Sequence, residues 1–174
     1  DGAYRGRVVI DSAHLVRGDQ SVRATGIIAR LTSRAGLESL VARIAVGAVQ
    51  SAPPMPWFGN YAVDATVRQT RAGVAFGANI GGLGIRKLAN IAGRHDLAKG
   101  VGDAEISIPD LTLGPSGVWP VSIFKTLKDI RNVTGRFGGD ARLAWRGDQL
   151  TGRATLRLDG IGGETEDAVV DGIS

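Results

Sequence analysis

The two-residue alternation that runs from Arg136 to Leu158 constrains this chain more than any other feature. Phe137, Gly139, Ala141, Leu143 and Trp145 point one way, and Arg136, Asp140, Arg142 and Arg146 point the other. After Gly147-Asp148, the run Leu150, Gly152, Ala154, Leu156 and Leu158 alternates with Thr151, Arg153, Thr155 and Arg157. A period of two belongs to a strand with one buried and one wet face. Two such runs parted by a short Gly-Asp turn predict an antiparallel hairpin.

The same unit recurs upstream. Ala104, Ile106 and Ile108 alternate with Asp103, Glu105 and Ser107, and the run from His95 to Lys99 joins them through a turn expected at Gly100-Val101-Gly102. Tyr61, Val63, Ala65 and Val67 alternate with Ala62, Asp64, Thr66 and Arg68, then Thr70-Arg71-Ala72-Gly73 turns into a strand from Val74 to Ile80. Tyr4, Gly6, Val8 and Ile10 oppose Arg5, Arg7 and Val9, and Ser21 to Leu31 is another extended run. Residues 37–49 fit both periods, with Leu37, Leu40, Val41, Ile44 and Ala48 at helical spacing and Leu40, Ala42, Ile44, Val46 and Ala48 alternating. Strand is preferred because Val46-Gly47-Ala48-Val49 is weak helix material. One short helix is expected near 121–131, after Pro120, with Val121, Phe124, Leu127 and Ile130 on one stripe. The stretch 51–58, with Pro53, Pro54 and Pro56, reads as a loop or sheet-edge crossing and marks an internal division if there is one.

The fold class is therefore mainly β, with antiparallel strands presenting one apolar and one arginine-rich face. Residues 1–174 are expected to be one continuous segment. Tyr4 already reads as strand and Gly172-Ile173-Ser174 follow an apolar pair directly, so a fragment of a longer protein is expected.

Composition narrows the function classes. The 26 glycines and low aromatic content suit many brief strands and turns. With no cysteine, thiolate nucleophiles, disulfides and thiolate-held metals are excluded. Seventeen of the 21 basic residues are arginine, spread from Arg5 to Arg157. A nucleic-acid binder more often gathers them into a stripe with interleaved aromatics, so no nucleic-acid partner is expected. The arginines are read as solvating an outer face and discouraging edge-to-edge pairing.

Catalytic signals are sparse. His14 and His95 sit in separate strand-like runs without a clustered carboxylate, which makes a weak metal site. Asp103 and Glu105 share an outward face and read as solvated residues, and Glu164, Glu166 and Asp167 lack the ligand pattern of a calcium loop. Gly81-Gly82-Leu83-Gly84 matches no phosphate loop, Asn132-Val133-Thr134 is a formal sequon only, and Ser116 and Ser122 lack a base partner. No enzyme, no cofactor and no metal are expected.

One stretch carries a resemblance. His95-Asp96-Leu97-Ala98-Lys99-Gly100-Val101-Gly102, Ile106-Ser107-Ile108-Pro109-Asp110-Leu111, Pro120 with its expected helix, Val133-Thr134-Gly135, Leu143-Ala144-Trp145 and Leu150 to Leu158 follow in an order that resembles YdbH-like members of the AsmA-like, TamB-related family. The resemblance implies an elongated sheet curled into a groove, in a Gram-negative protein anchored in the inner membrane and crossing the periplasm. It implies transport of phospholipid between inner and outer membranes, with acyl chains as the cargo, a membrane anchor outside these residues and further envelope proteins as partners. The family also carries an older label of dicarboxylate transport.

Under that reading Val63, Val67, Ile106, Ile108, Phe137, Ala141, Leu143, Trp145, Leu150, Ala154, Leu156 and Leu158 line the groove. Small residues such as Gly139, Ala141, Gly152 and Ala154 are expected to leave room for a chain beside Leu143 and Leu156. A 16-carbon chain in water costs on the order of 13 kcal/mol at about 0.8 kcal/mol per methylene, which an apolar trough would largely remove. Three alternatives stand beside it: the same residues packing a closed sandwich core, a structural or adhesive β-solenoid or β-sandwich of the cell envelope, and a carbohydrate-active sandwich. The last is disfavoured because Trp57, Trp119 and Trp145 are the only tryptophans.

Overall fold

Alternation becomes pleat throughout the described residues. The computed structural model describes residues 3–17, 20–33, 40–51, 60–82, 85–114, 118, 129–165 and 169–173. Its strands are β1 (Tyr4–Arg17), β2 (Gln20–Ser33), β3 (Val41–Ser51), β4 (Tyr61–Gln69), β5 (Gly73–Gly82), β6 (Ile85–Asp96), β7 (Val101–Leu113), β8 (Arg131–Arg146), β9 (Gln149–Glu164) and β10 (Val169–Ile173). All ten lie in one antiparallel sheet, ordered in space as in sequence. The described residues contain no second sheet and no helix, so these strands do not make a closed sandwich.

Short turns at one end set the register. Between β8 and β9, Arg146 pairs with Gln149 and leaves Gly147-Asp148 as the loop. Gly147 has φ 53° at the first central position, where a type II′ turn favours glycine. Between β6 and β7 the Asp96 carboxylate accepts hydrogen bonds from the backbone N–H groups of Ala98 and Lys99, both at 3.0 Å, and turns the chain at 97–100. The turn expected at Gly100-Val101-Gly102 is thus displaced. Val101 and Gly102 already pair with Asp96 and His95, because the Asp96 carboxylate starts the reversal and Gly100, at φ 62°, completes it. Between β4 and β5 the Thr70 N–H donates to the Gly73 carbonyl at 2.8 Å, and the Gly73 N–H donates to Thr70 Oγ1 at 3.1 Å.

The ambiguous 37–49 stretch is strand from Val41 onward, while Leu37 lies outside the described residues. Pro53, Pro54 and Pro56 also lie outside them, as do residues 121–128 of the expected helix. Asp129 and Ile130 are not helical, and Arg131 already begins β8.

A small core sits at the end away from the tight turns. Leu88, Leu111 and Val118 are buried there, with Tyr61, Ile108, Leu113 and Phe137 against them. Val118, from the β7–β8 connection, is held by its N–H donating to the Thr112 carbonyl at 2.7 Å. Elsewhere Ala89, Ala104 and Val133 are buried, and most other apolar side chains are half-buried or exposed. The accessible surface is 12258 Å², against about 8,100 Å² for a compact protein of this mass.

Candidate functional site

Residues directly opposite each other in an antiparallel pair share a face of the sheet. Following the register therefore traces rows of side chains across the molecule. One row runs Val8, Ala29, Ile44, Ala65, Ala78, Ile91, Ile106, Ala141, Ala154. The row beside it runs Gly6, Leu31, Ala42, Val67, Phe76, Gly93, Ala104, Leu143, Gly152. Neither contains a polar residue from β1 to β9. A third row joins Ile10, Ile27, Val46, Val63, Ile80 and Ala89, and its counterpart further on joins Ile108, Gly139 and Leu156. At the tight-turn end Val74, His95, Gly102, Trp145 and Leu150 form the rim.

Every residue named from sequence as groove lining falls on this one face. Val63 and Val67 come from β4, Ile106 and Ile108 from β7, Phe137, Ala141, Leu143 and Trp145 from β8, and Leu150, Ala154, Leu156 and Leu158 from β9. Ile106, Ala141 and Ala154 share a row, Val67 shares one with Leu143, and Phe137 pairs with Leu158. Leu150, Leu156 and Leu158 are exposed.

Two bulges keep the face continuous. Val46 pairs with Val63, yet Val49 pairs with Tyr61, so β3 carries one extra residue. The insertion places Val49 on the apolar face, and with it Ala24 and Ala13 across β2 and β1. In β7, Ile108 pairs with Gly139 but Leu111 pairs with Phe137, so the Pro109-Asp110 insertion brings Leu111 back onto the face. Sequence alternation missed Ala13, Ala24, Val49 and Leu111 because one added residue reverses the parity on which the pattern depends. It also left out Ile44, Phe76 and Ile91, which only the register joins to the rest.

One expectation about the face is corrected. The space over Gly152 and Gly139 is not open, because large side chains from the facing strand lie across it. A Cβ on Gly152 would come within 2.7 Å of Leu143 Cδ2, and one on Gly139 within 2.7 Å of the Thr155 carbonyl oxygen and 3.1 Å of Leu156 Cδ2. Phe76 covers Gly93 and Trp145 covers Gly102 in the same way. Large opposite small, strand after strand, lays the side chains flat and gives a low apolar relief in place of slots.

The opposite face is polar, and from β6 to β9 most of its arginines meet a carboxylate, although Arg142 also lies opposite Arg153. Arg94 pairs with Asp103 at 2.8 Å and Arg142 with Glu105 at 3.0 Å, each directly across the strand boundary. Arg136 Nε donates to Asp159 at 3.0 Å and Arg157 donates to Asp140 at 2.6 Å. The Arg157 hydrogen bond holds the Asp140 carboxyl below the usual carboxylate range, and the Lys99 backbone N–H does the same for Asp96. The outward carboxylates Asp103 and Glu105 are thus ion-pair partners. Glu164 accepts a hydrogen bond from Asn132 Nδ2 at 2.8 Å, whereas Glu166 and Asp167 lie outside the described residues.

At the rim His95 Nδ1 accepts the Trp145 Nε1 hydrogen at 3.0 Å, and the two rings stack with centroids 6.0 Å apart. This sets the ring beside an indole. A shallow cavity of about 730 Å³ opens beside it, bordered by Val74, Arg94, Asp103 and Arg146. Among the described residues no three His, Cys, Asp or Glu side chains gather as metal ligands.

No family model, curated protein or solved structure matches this chain. The face itself is therefore the basis for a functional reading. Its chemistry is that of an extended apolar surface with a polar reverse side. Among the described residues no helix is long and apolar enough to cross a membrane.

Proposed function

We propose that this chain is a segment of a lipid conduit, whose apolar face carries phospholipid acyl chains along a curled groove between the inner and outer membranes of a bacterial envelope. The observation that carries the reading is the pair of apolar rows unbroken across nine strands, with no covering layer among the described residues except at Val118. At about 4.8 Å per strand they extend for roughly 38 Å. An uncovered apolar surface of that extent marks an interaction surface. The flat relief favours sliding, since no slot would hold a chain at one register. The resemblance of residues 95–174 to the AsmA-like, TamB-related family supplies the periplasmic setting and the inner-membrane anchor. One sheet with a bare face gives less support to a sandwich module, which would have its core already covered.

Photocrosslinking amino acids at Leu143 and Leu156, compared with Arg142 and Arg157, test the proposal in cells. Phospholipid adducts at the leucine positions and none at the arginine positions are expected. Equal labelling of both faces, or protein adducts alone at Leu143 and Leu156, would overturn it.

A further inference from the structure

On the polar face of β1–β4 the charge matching seen elsewhere breaks down. Arg7 lies directly opposite Arg30, and Arg30 directly opposite Arg43, so three guanidinium groups share one row on adjacent strands. Arg5 and Arg68 lie on the neighbouring row, joined through Thr32 and Val41. All five are exposed, and none has a carboxylate partner among the described residues. Like charges directly opposed in a sheet are destabilising, and the row spans only about 10 Å from β1 to β3. From β6 to β9, by contrast, Arg94, Arg136, Arg142 and Arg157 each meet a carboxylate, and the opposed pair Arg142–Arg153 has one of its two charges matched by Glu105.

On the other side of the arginine row, and on the same face, an apolar run of Val9, Ile28 and Ala45 crosses β1 to β3 and ends at Asp64 on β4. A patch that is cationic in two dimensions and bordered by apolar side chains fits an interface that is anionic on its surface and apolar beneath. It does not fit a single-stranded nucleic acid, because these rows offer no aromatic platform. An acidic peptide would leave the apolar row unused. We propose that Arg5, Arg7, Arg30, Arg43 and Arg68 form a docking surface for an anionic phospholipid bilayer, on the side of the sheet opposite the acyl-chain face.

Vesicle flotation of the 174-residue chain tests this. Vesicles of phosphatidylcholine with about one-third phosphatidylglycerol should bind the chain, vesicles of phosphatidylcholine alone should not, and binding should weaken steeply as salt rises. The triple variant Arg7→Gln, Arg30→Gln, Arg43→Gln should lose on the order of a hundredfold in affinity. Its melting temperature should stay level or rise, because opposed like charges are removed. An Arg94→Gln, Arg142→Gln variant, altered at paired arginines, should bind nearly as the parent does. Salt-independent binding, equal binding to neutral vesicles, an equal loss in the control variant, or preference for polyglutamate or an oligonucleotide would each overturn the proposal. Because photolabelling at Leu143 and Leu156 reads the other face, its outcome is separate from this one.

Discussion

The indole of Trp145 lies across β7 over Gly102, where an added Cβ would collide with the ring and with the Arg94 carbonyl. It also donates to His95 and lies 6.4 Å from the Phe76 ring centroid. Gly102 is therefore a seat for an aromatic side chain, although in the sequence it looks like part of a turn. A Gly102→Ala variant is expected to lose about 1–3 kcal/mol, as overpacking does elsewhere. Trp145→Phe, which removes the N–H, should cost about 1 kcal/mol. Urea unfolding followed by circular dichroism measures both, and a neutral Gly102→Ala would show that the indole moves aside freely.

Strands and turns were legible where two signals coincided. The β8–β9 hairpin shows this best, because Phe137–Trp145 and Leu150–Leu158 alternate in phase around Gly147-Asp148, and the paired register follows. Gly147→Val should cost about 1–2 kcal/mol, since a β-branched residue resists φ 53°. The bulges near Gly47 and at Pro109-Asp110 were not legible, because a one-residue insertion looks like the end of a pattern until its partner strand is known. The β6–β7 turn was misplaced by two residues for a related reason: its determinant is a side-chain carboxylate bonded to the backbone. That carboxylate carries a pH signature. Asp96 and Asp140 both have folded-state values held below the ordinary range. Their contribution is then complete above the unfolded carboxylate value of about 3.9 and fades as pH falls through the folded values. The urea midpoint should hold level from neutral pH to about 5 and fall below about 4, with a shallower fall in Asp96→Asn, whose amide oxygen still accepts the two N–H bonds.

Across the whole molecule, stability rests on pairing between neighbours more than on a central core. An accessible surface of 12258 Å² leaves roughly 14,000 Å² removed from water on folding, against about 18,000 Å² for a compact chain of this mass. The denaturant slope scales with that area, so it should be about three-quarters of the value usual for this length. The one-faced pattern was readable in the sequence strand by strand, but its continuity from β1 to β9 was not, since continuity is a property of register. Continuity also decides which substitutions matter for cargo. Leu143 lies in the row from Gly6 to Gly152, half-buried between Ala104 and Gly152, whereas Arg153 on the next position faces the polar side opposite Arg142. Leu143→Asp puts a charge into the path of any acyl chain crossing β8, where desolvating it is costly. Arg153→Asp replaces an opposed like charge with an attractive one. Under the lipid reading, Leu143→Asp should sharply reduce phospholipid extracted with the purified chain, while Arg153→Asp retains it and is as stable as the parent or slightly more so. Equal lipid content in the two variants, by mass spectrometry of the extract, would detach the apolar face from lipid carriage and leave it as a surface for another protein.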